Sequence, residues 1–323
     1  MARVPVPAVP AKPTPRTGAT RPAEPAPSVE AVRLDVRKTY KLYLGGAFPR
    51  SESGRSYVVS TPDGAPLANA VRASKKDLRD AVRAARAATA GWDGATAMLR
   101  GQVLYRVAEV LEGRRDQFEA EVAAAEGLTA GAAREQVDRS IDRWVWYAGW
   151  ADKIAQVMGT TNPVAAPYFD FTIPEPTGVV GLVAPESSSL LGLVSRLAPV
   201  LVAGNTAVVL ASESRPLPAV TLGEVLATSD VPGGVVNILT GWRRELVPVL
   251  AGHMDVNALD TWGVVPADLA TVEASAMENV KRVARAPRGQ ADRFDWLDDR
   301  AAQRPEWIMA FLELKTVWHP MGM

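Results

Sequence analysis

The sequence predicts an α/β protein with a Rossmann-like parallel sheet, preceded by a group of helices. Three observations carry this. Short apolar runs at 179–183, 207–210 and 234–239 have the character of strands buried on both faces. Helical patterns over 190–203, 218–227 and 246–251 alternate with them, and strand–helix–strand repetition is the signature of parallel pairing through right-handed crossovers. Longer stretches at helical spacing fill the region from Ser74 to Ile154. No G-x-G-x-x-G opens any unit, so the usual phosphate-cradling fingerprint is missing.

Taken in order, residues 1–33 carry Pro5, Pro7, Pro10, Pro13, Pro15, Pro22, Pro25 and Pro27 among Ala, Val and Arg. Proline removes donors and fixes φ, so a disordered or extended tail is expected. Tyr40, Leu42 and Leu44 alternate ahead of Gly45-Gly46, and Tyr57–Val59 suits a returning strand, which together read as a hairpin. Thr61-Pro62-Asp63-Gly64 has turn chemistry. Ser74 with Asp77 resembles a capping box that opens a helix to about Ala90. Leu99, Val103, Leu104, Val107 and Leu111 repeat at helical spacing up to Gly113, and Phe118, Val122 and Ala125 continue the pattern. A helix over 133–154 places Val137, Ile141, Trp144, Val145, Ala148 and Ala151 on one face, with Trp146, Tyr147 and Trp150 adding aromatic packing. Within 190–203, Pro199 is a candidate kink.

Composition narrows the chemistry. Lys+Arg and Asp+Glu balance at 36 each, so no nucleic-acid partner is implied. There is no cysteine, hence no disulfide framework, thiolate ligand or thiolate nucleophile. Only His253 and His319 are available as histidines, and no metal site is expected. No apolar run reaches the ~18 residues of a membrane span. The opening MARVPVPAVP lacks the apolar core of a secretory signal, so a cytoplasmic location is the default expectation. Ser187-Ser188-Ser189 follows a strand and precedes a helix, but G-x-S-x-G is missing and no histidine lies near in sequence. Capping a helix start is their expected role.

Several phrases, in order, resemble the aldehyde dehydrogenase superfamily: KLYLGGAFPRSESGRSYVV, WVWYAGWADKI, EPTGVVGLVAP, LAPVLVAGNTAVVLASE and DVPGGVVNILTG. The resemblance runs from about Tyr40 to Val283. The opening hairpin and the missing chemistry are similar to family 16, which carries a second, degenerate module. The resemblance implies a cofactor-type domain over 34–283, with a bridging hairpin near 157–172. It also makes each departure informative. Ser187 stands where the family places the asparagine that holds the oxyanion. Leu210 replaces the ribose-binding lysine, while its partner glutamate is kept as Glu213. The phosphate-presenting turn appears as Thr261-Trp262-Gly263-Val264, in which only Gly263 matches. Trp262 is expected to crowd a phosphate there, and Asp268 to repel it.

After Val283 the family's general base and catalytic domain do not follow. A charged stretch, 284–310, leads instead to 311–323, where FLELKTVWHP resembles the family's C-terminal oligomerisation strand. The catalytic domain is thus expected to be absent. Leu312, Leu314, Thr316 and Trp318 alternate onto one face of that strand and form the expected assembly surface. The reading that follows is a noncatalytic subunit, a pseudoenzyme of its family, in a hetero-oligomer with a full-length aldehyde dehydrogenase. Ser187 then marks a vestigial oxyanion position, and Glu213 and Gly263 a vestigial NAD site that binds the cofactor weakly or not at all. The alternatives are an NAD-binding regulatory module and an oxidoreductase or hydrolase with non-cysteine chemistry.

Overall fold

Apolar residues at consecutive strand positions need cover on both sides, and the chain supplies it with helices on each face of one sheet. The structure, a computed structural model, describes residues 36–287, 289, 291 and 293–322, so the proline-rich tail expected over 1–33 lies outside the described residues. Order starts with β1 (Thr39–Tyr40), β2 (Ser56–Ser60) and β3 (Pro66–Val71). β3 is central, parallel to β1 and antiparallel to β2. The expected pairing of 40–44 with 57–59 is therefore corrected. Gly45-Gly46 does make a tight turn, with Leu44 and Ala47 exchanging backbone bonds of 2.9 and 3.0 Å. Their φ values of +60° and +83° suit a type I′ turn, which glycine adopts without strain. The arm before this turn is captured by the main sheet, where Tyr43 exchanges backbone bonds with Ile238.

Four helices follow: α1 (Lys75–Asp93), α2 (Ala97–Glu112), α3 (Arg115–Glu126) and α4 (Ala130–Ala148). The capping box at Ser74 and Asp77 is present as expected. α4 ends at Gly149, short of the expected Ile154, and the chain restarts as α5 (Ile154–Met158). Val145, expected inward, is exposed, while Arg143 is fully buried. The bridging strands are β4 (Thr160–Asn162) and β5 (Tyr168–Pro176), so the hairpin starts after Val157, which belongs to α5.

The α/β section runs β6 (Val179–Val183), α6 (Leu191–Val202), β7 (Thr206–Leu210), α7 (Leu217–Ala227), β8 (Val236–Leu239), α8 (Arg243–Ala251), β9 (Ala258–Asp260), α9 (Pro266–Met277) and β10 (Arg282–Ala284). The five strands are parallel, in the order β10-β9-β6-β7-β8. β9 and β10 escape the sequence pattern because three residues are too few to show a period. Val179, Val183, Val208 and Leu210 pack toward α1, α8 and α9. Val180, Leu182, Ala207 and Val209 pack toward α6 and α7, with α2 and α4 behind. After β8 the chain returns to the other side of β6, so strand order reverses between β6 and β9. In open parallel sheets a crevice forms outside the strand C-termini at that point.

The stretch expected as a charged linker holds α10 (Asp299–Ala302) and α11 (Pro305–Met309), and Trp296, Ala302, Ile308 and Phe311 within it and at its end are buried. It packs as part of the same compact unit, which runs from Arg37 onward. β11 (Leu312–Pro320) then pairs antiparallel with β5 over nine residue pairs, giving a third sheet ordered β11-β5-β4. Of the four residues expected on its assembly face, Leu312 turns into the core and anchors the strand. Thr316 bonds Thr172 across the ladder, and Leu314 and Trp318 stay exposed.

Candidate functional site

The crevice at the switch point is bounded by Ala184 after β6, Ala211 after β7 and the Thr261–Val264 turn after β9. Glu186, Glu213 and Arg243 converge on it. Arg243 is the first residue of α8. Its guanidinium donates to the carbonyls of Gly263 at 2.8 Å, Ala211 at 3.3 Å and Ala184. It also pairs with Glu186 at 2.9 Å. The Glu186 carboxylate accepts from the backbone N of Glu213 at 2.7 Å and from the hydroxyls of Ser212 and Ser214 at 2.6 and 2.9 Å. Glu213 in turn accepts from the Arg243 backbone N at 2.8 Å, which caps α8. A positive group held by three carbonyls thus fills the strand ends. Leu210 lies in the sheet core under α1 and α8.

Gly263 sits against β6, its N donating to Val183 O at 2.9 Å. A Cβ there would fall 2.0 Å from Ala184 O, so only glycine allows this approach. Trp262 is not turned to the crevice as expected. It is 4% exposed and packs inward with Phe294, Trp296 and Trp307 at ring distances of 4.8, 4.9 and 5.7 Å. The obstruction expected of Trp262 comes from Arg243.

Ser187 lies on the loop after β6, and its Oγ accepts from Trp296 Nε1 at 3.2 Å. The aromatic stretch after β10 therefore reaches over Ser187. Ser188 and Ser189 are buried and used structurally. Ser188 Oγ accepts from Gly192 N at 3.0 Å, at the start of α6. Ser189 donates through N and Oγ to Glu126, both at 2.6 Å. His253 follows α8, and His319 lies exposed within β11, neither near the serines.

Two buried arginines join the covering stretch to the sheet. Arg143 donates to the carbonyls of Trp296 and Ala302 at 3.2 and 2.8 Å and pairs with Asp299 at 3.0 Å. Arg196 pairs with fully buried Asp260 at 2.6 Å and lies 4.3 Å from the Trp307 ring centre and 5.1 Å from that of Trp262. Burial pushes the Asp260 carboxyl up, against the pull of Arg196. Sequence patterning missed both arginines. Arg143 leaves a faint trace, falling three residues after Ser140 and four before Tyr147 on the buried side of α4.

Comparison with known proteins accounts for this architecture. The aldehyde dehydrogenase family model matches residues 48–291. The chain belongs to the aldehyde dehydrogenase family. It is 35% identical to retinal dehydrogenase 2 of Gallus gallus over 268 residues, covering 80% of this chain and 50% of that protein. It is 34% identical to the cytosolic 10-formyltetrahydrofolate dehydrogenase of Mus musculus, covering 78% of this chain and 28% of that one. Among solved structures, HpcC of Thermus thermophilus superposes with a TM-score of 0.72 at 28% identity, covering 77% of this chain and 48% of that one. The chain spans about half the length of retinal dehydrogenase 2 and of HpcC. No described helix is long and apolar enough to cross a membrane, and no described cluster of His, Asp or Glu could hold a metal ion.

The aldehyde dehydrogenase fold implies NAD at the switch-point crevice, and these residues do not fit it. A dinucleotide needs free backbone donors or cations for its phosphates. Here the Glu213 N–H is taken by Glu186, the Arg243 N–H by Glu213 and the guanidinium by three carbonyls. The open outer part, about 730 Å³, is lined by Glu186, Glu213 and Asp268 and equally by Arg215, Arg243 and Arg244, so the misfit lies at the strand ends, where the donors are already used.

The filled crevice has a pH signature. Burial pushes Glu186 up, but Arg243, two hydroxyls and the Glu213 N–H outweigh it and hold the carboxyl below its usual range. A depressed carboxylate contributes stability above its unfolded pKa, about 4.3, and loses it as pH falls further. Glu186→Gln should therefore lower the urea midpoint at pH 7. The gap from the parent should narrow at pH 3.5; an equal gap at both pH values would contradict the network.

Proposed function

We propose that this chain is a noncatalytic aldehyde dehydrogenase-like subunit that assembles with a complete NAD(P)-dependent aldehyde dehydrogenase and supports or regulates it. The observation that carries this is the occupied centre: Arg243 fills the cofactor crevice and Trp296 covers Ser187. The absence of any cysteine agrees, since a thiolate is the nucleophile of the family's chemistry. Between β10 and β11 the chain has only residues 285–311, and Trp296 among them covers Ser187. The degenerate module of family 16 is the member type this arrangement fits.

Support for assembly comes from the β11-β5-β4 sheet. Its end strand β11 pairs with β5 on one side, leaving the other side of a nine-residue strand unpaired among the described residues. Leu314, Trp318, Phe169 and Ile173 are exposed on its two faces. A long apolar edge is an aggregation liability unless a partner covers it, and strand addition supplies affinity through main-chain bonds. The receiving edge belongs to the complete enzyme.

Purified chain, assayed with NAD or NADP and short or aromatic aldehydes, should show no turnover above a Ser187→Ala, Ser188→Ala, Ser189→Ala control. NAD titrated by calorimetry should bind weakly or not at all. Turnover by the chain alone, or an NAD dissociation constant of about 1 μM, near −8 kcal/mol, would contradict the proposal.

A further inference from the structure

The stretch after β10 also borders a half-open cavity of about 350 Å³ beside Trp262. Its walls include Trp262, Phe294 and Trp307 together with Arg196, Arg285 and Arg304. Among the described residues its lining contains three arginines and no Asp or Glu. Arg196 is 2% exposed, and its Nη1 is buried with no hydrogen-bond partner although its other nitrogens engage Asp260. A buried donor without a partner is uncommon and costly. Arg285 and Arg304 stand at the rim, where each is half exposed and pairs with Glu273 and Glu306 respectively. The Arg304–Glu306 pair is exposed on both sides, and such a pair contributes little and exchanges readily for a better acceptor.

We propose that this cavity binds a small aromatic carboxylate. The ring would lie among the tryptophan and phenylalanine faces, and the carboxylate would take guanidinium N–H donors in charge-assisted bonds. The volume is at the small end of ligand pockets, roughly 300–1,000 Å³, so it suits one ring with a short acid arm. The site is independent of the assembly reading, because it is built wholly from this chain.

The test titrates the purified chain with benzoate, following heat and tryptophan fluorescence. Benzyl alcohol, which lacks the charge, and acetate, which lacks the ring, serve as controls. Benzoate should bind saturably with a dissociation constant on the order of 1 mM or tighter, and at least tenfold tighter than either control. The rim variant Arg285→Gln/Arg304→Gln leaves the buried Arg196–Asp260 pair in place. It should weaken benzoate at least tenfold while the urea midpoint stays close to the parent's. Three results would overturn the site: no saturable benzoate binding, equal binding of benzyl alcohol, or unchanged affinity in the rim variant.

Discussion

Arg196→Ala should cost about 3–5 kcal/mol of folding stability, because it leaves the carboxylate of Asp260 buried without its counter-ion. Both partners are buried, at 2% and 0% exposure, so the substitution leaves Asp260 with no charged partner. The substitution also removes the cation between Trp262 and Trp307 and leaves a void in the covering stretch. The deficit should depend on pH. Asp260 has its folded pKa pushed above the unfolded value by burial, so its ionised form disfavours folding once Arg196 is gone, and protonation relieves it. Urea unfolding should therefore show a smaller deficit at pH 5 than at pH 7. Replacing both partners, as Arg196→Met/Asp260→Leu, should recover most of the loss, since a buried pair exchanged for apolar side chains is often neutral. A single variant within about 1 kcal/mol of the parent at pH 7 would refute this account of how the covering stretch is held.

Removing residues 313–323 should abolish the complex with a complete aldehyde dehydrogenase while leaving the fold intact. The cut spares Phe311 and Leu312, which are buried and whose neighbourhood is fixed by bonds from Asn205 Nδ2 at 2.8 Å and Thr177 N at 3.2 Å to Phe311 O. What it takes away is the outer strand of the small sheet, including the exposed Leu314 and Trp318. Strand-addition interfaces draw their affinity from main-chain bonds along such an edge, so the loss should be complete rather than graded. The deletion removes the ladder that β11 makes with β5, so some stability is lost from the small sheet, but circular dichroism should still show the helices and the five-stranded sheet folded. A complex that survives the deletion would place the contact elsewhere.

The sequence showed the parallel sheet clearly because β6, β7 and β8 are continuous apolar runs with helices between them. It also showed the Ser74 capping box and the Gly45-Gly46 turn, which are local. It misplaced the strand before that turn, because Tyr43 is drawn to Ile238, almost two hundred residues away, and no local pattern records such a contact. β9 and β10 were invisible at three residues each. At the site, the departures at Ser187, Leu210 and Trp262 could be located from the family resemblance, but not what occupies the space around them. Arg243 looks like any basic residue at a helix start, and only the fold shows its guanidinium meeting three carbonyls. The stretch 284–310 read as charged because arginine and aspartate outnumber its aromatics, yet Phe294, Trp296 and Trp307 determine how it packs. Three aromatics in so short a polar stretch were the signal available.

The central claim is that the chain functions as a noncatalytic partner of a complete enzyme, and one measurement tests it most directly. The chain is co-expressed with complete aldehyde dehydrogenases of the same cell, purified through a tag on itself, and its mass determined by light scattering during size exclusion. The account predicts a single peak containing both chains, heavier than the complete enzyme alone by at least one 34.5 kDa subunit. A tagged chain that elutes by itself at 34.5 kDa, with the complete enzyme in a separate peak, would contradict it.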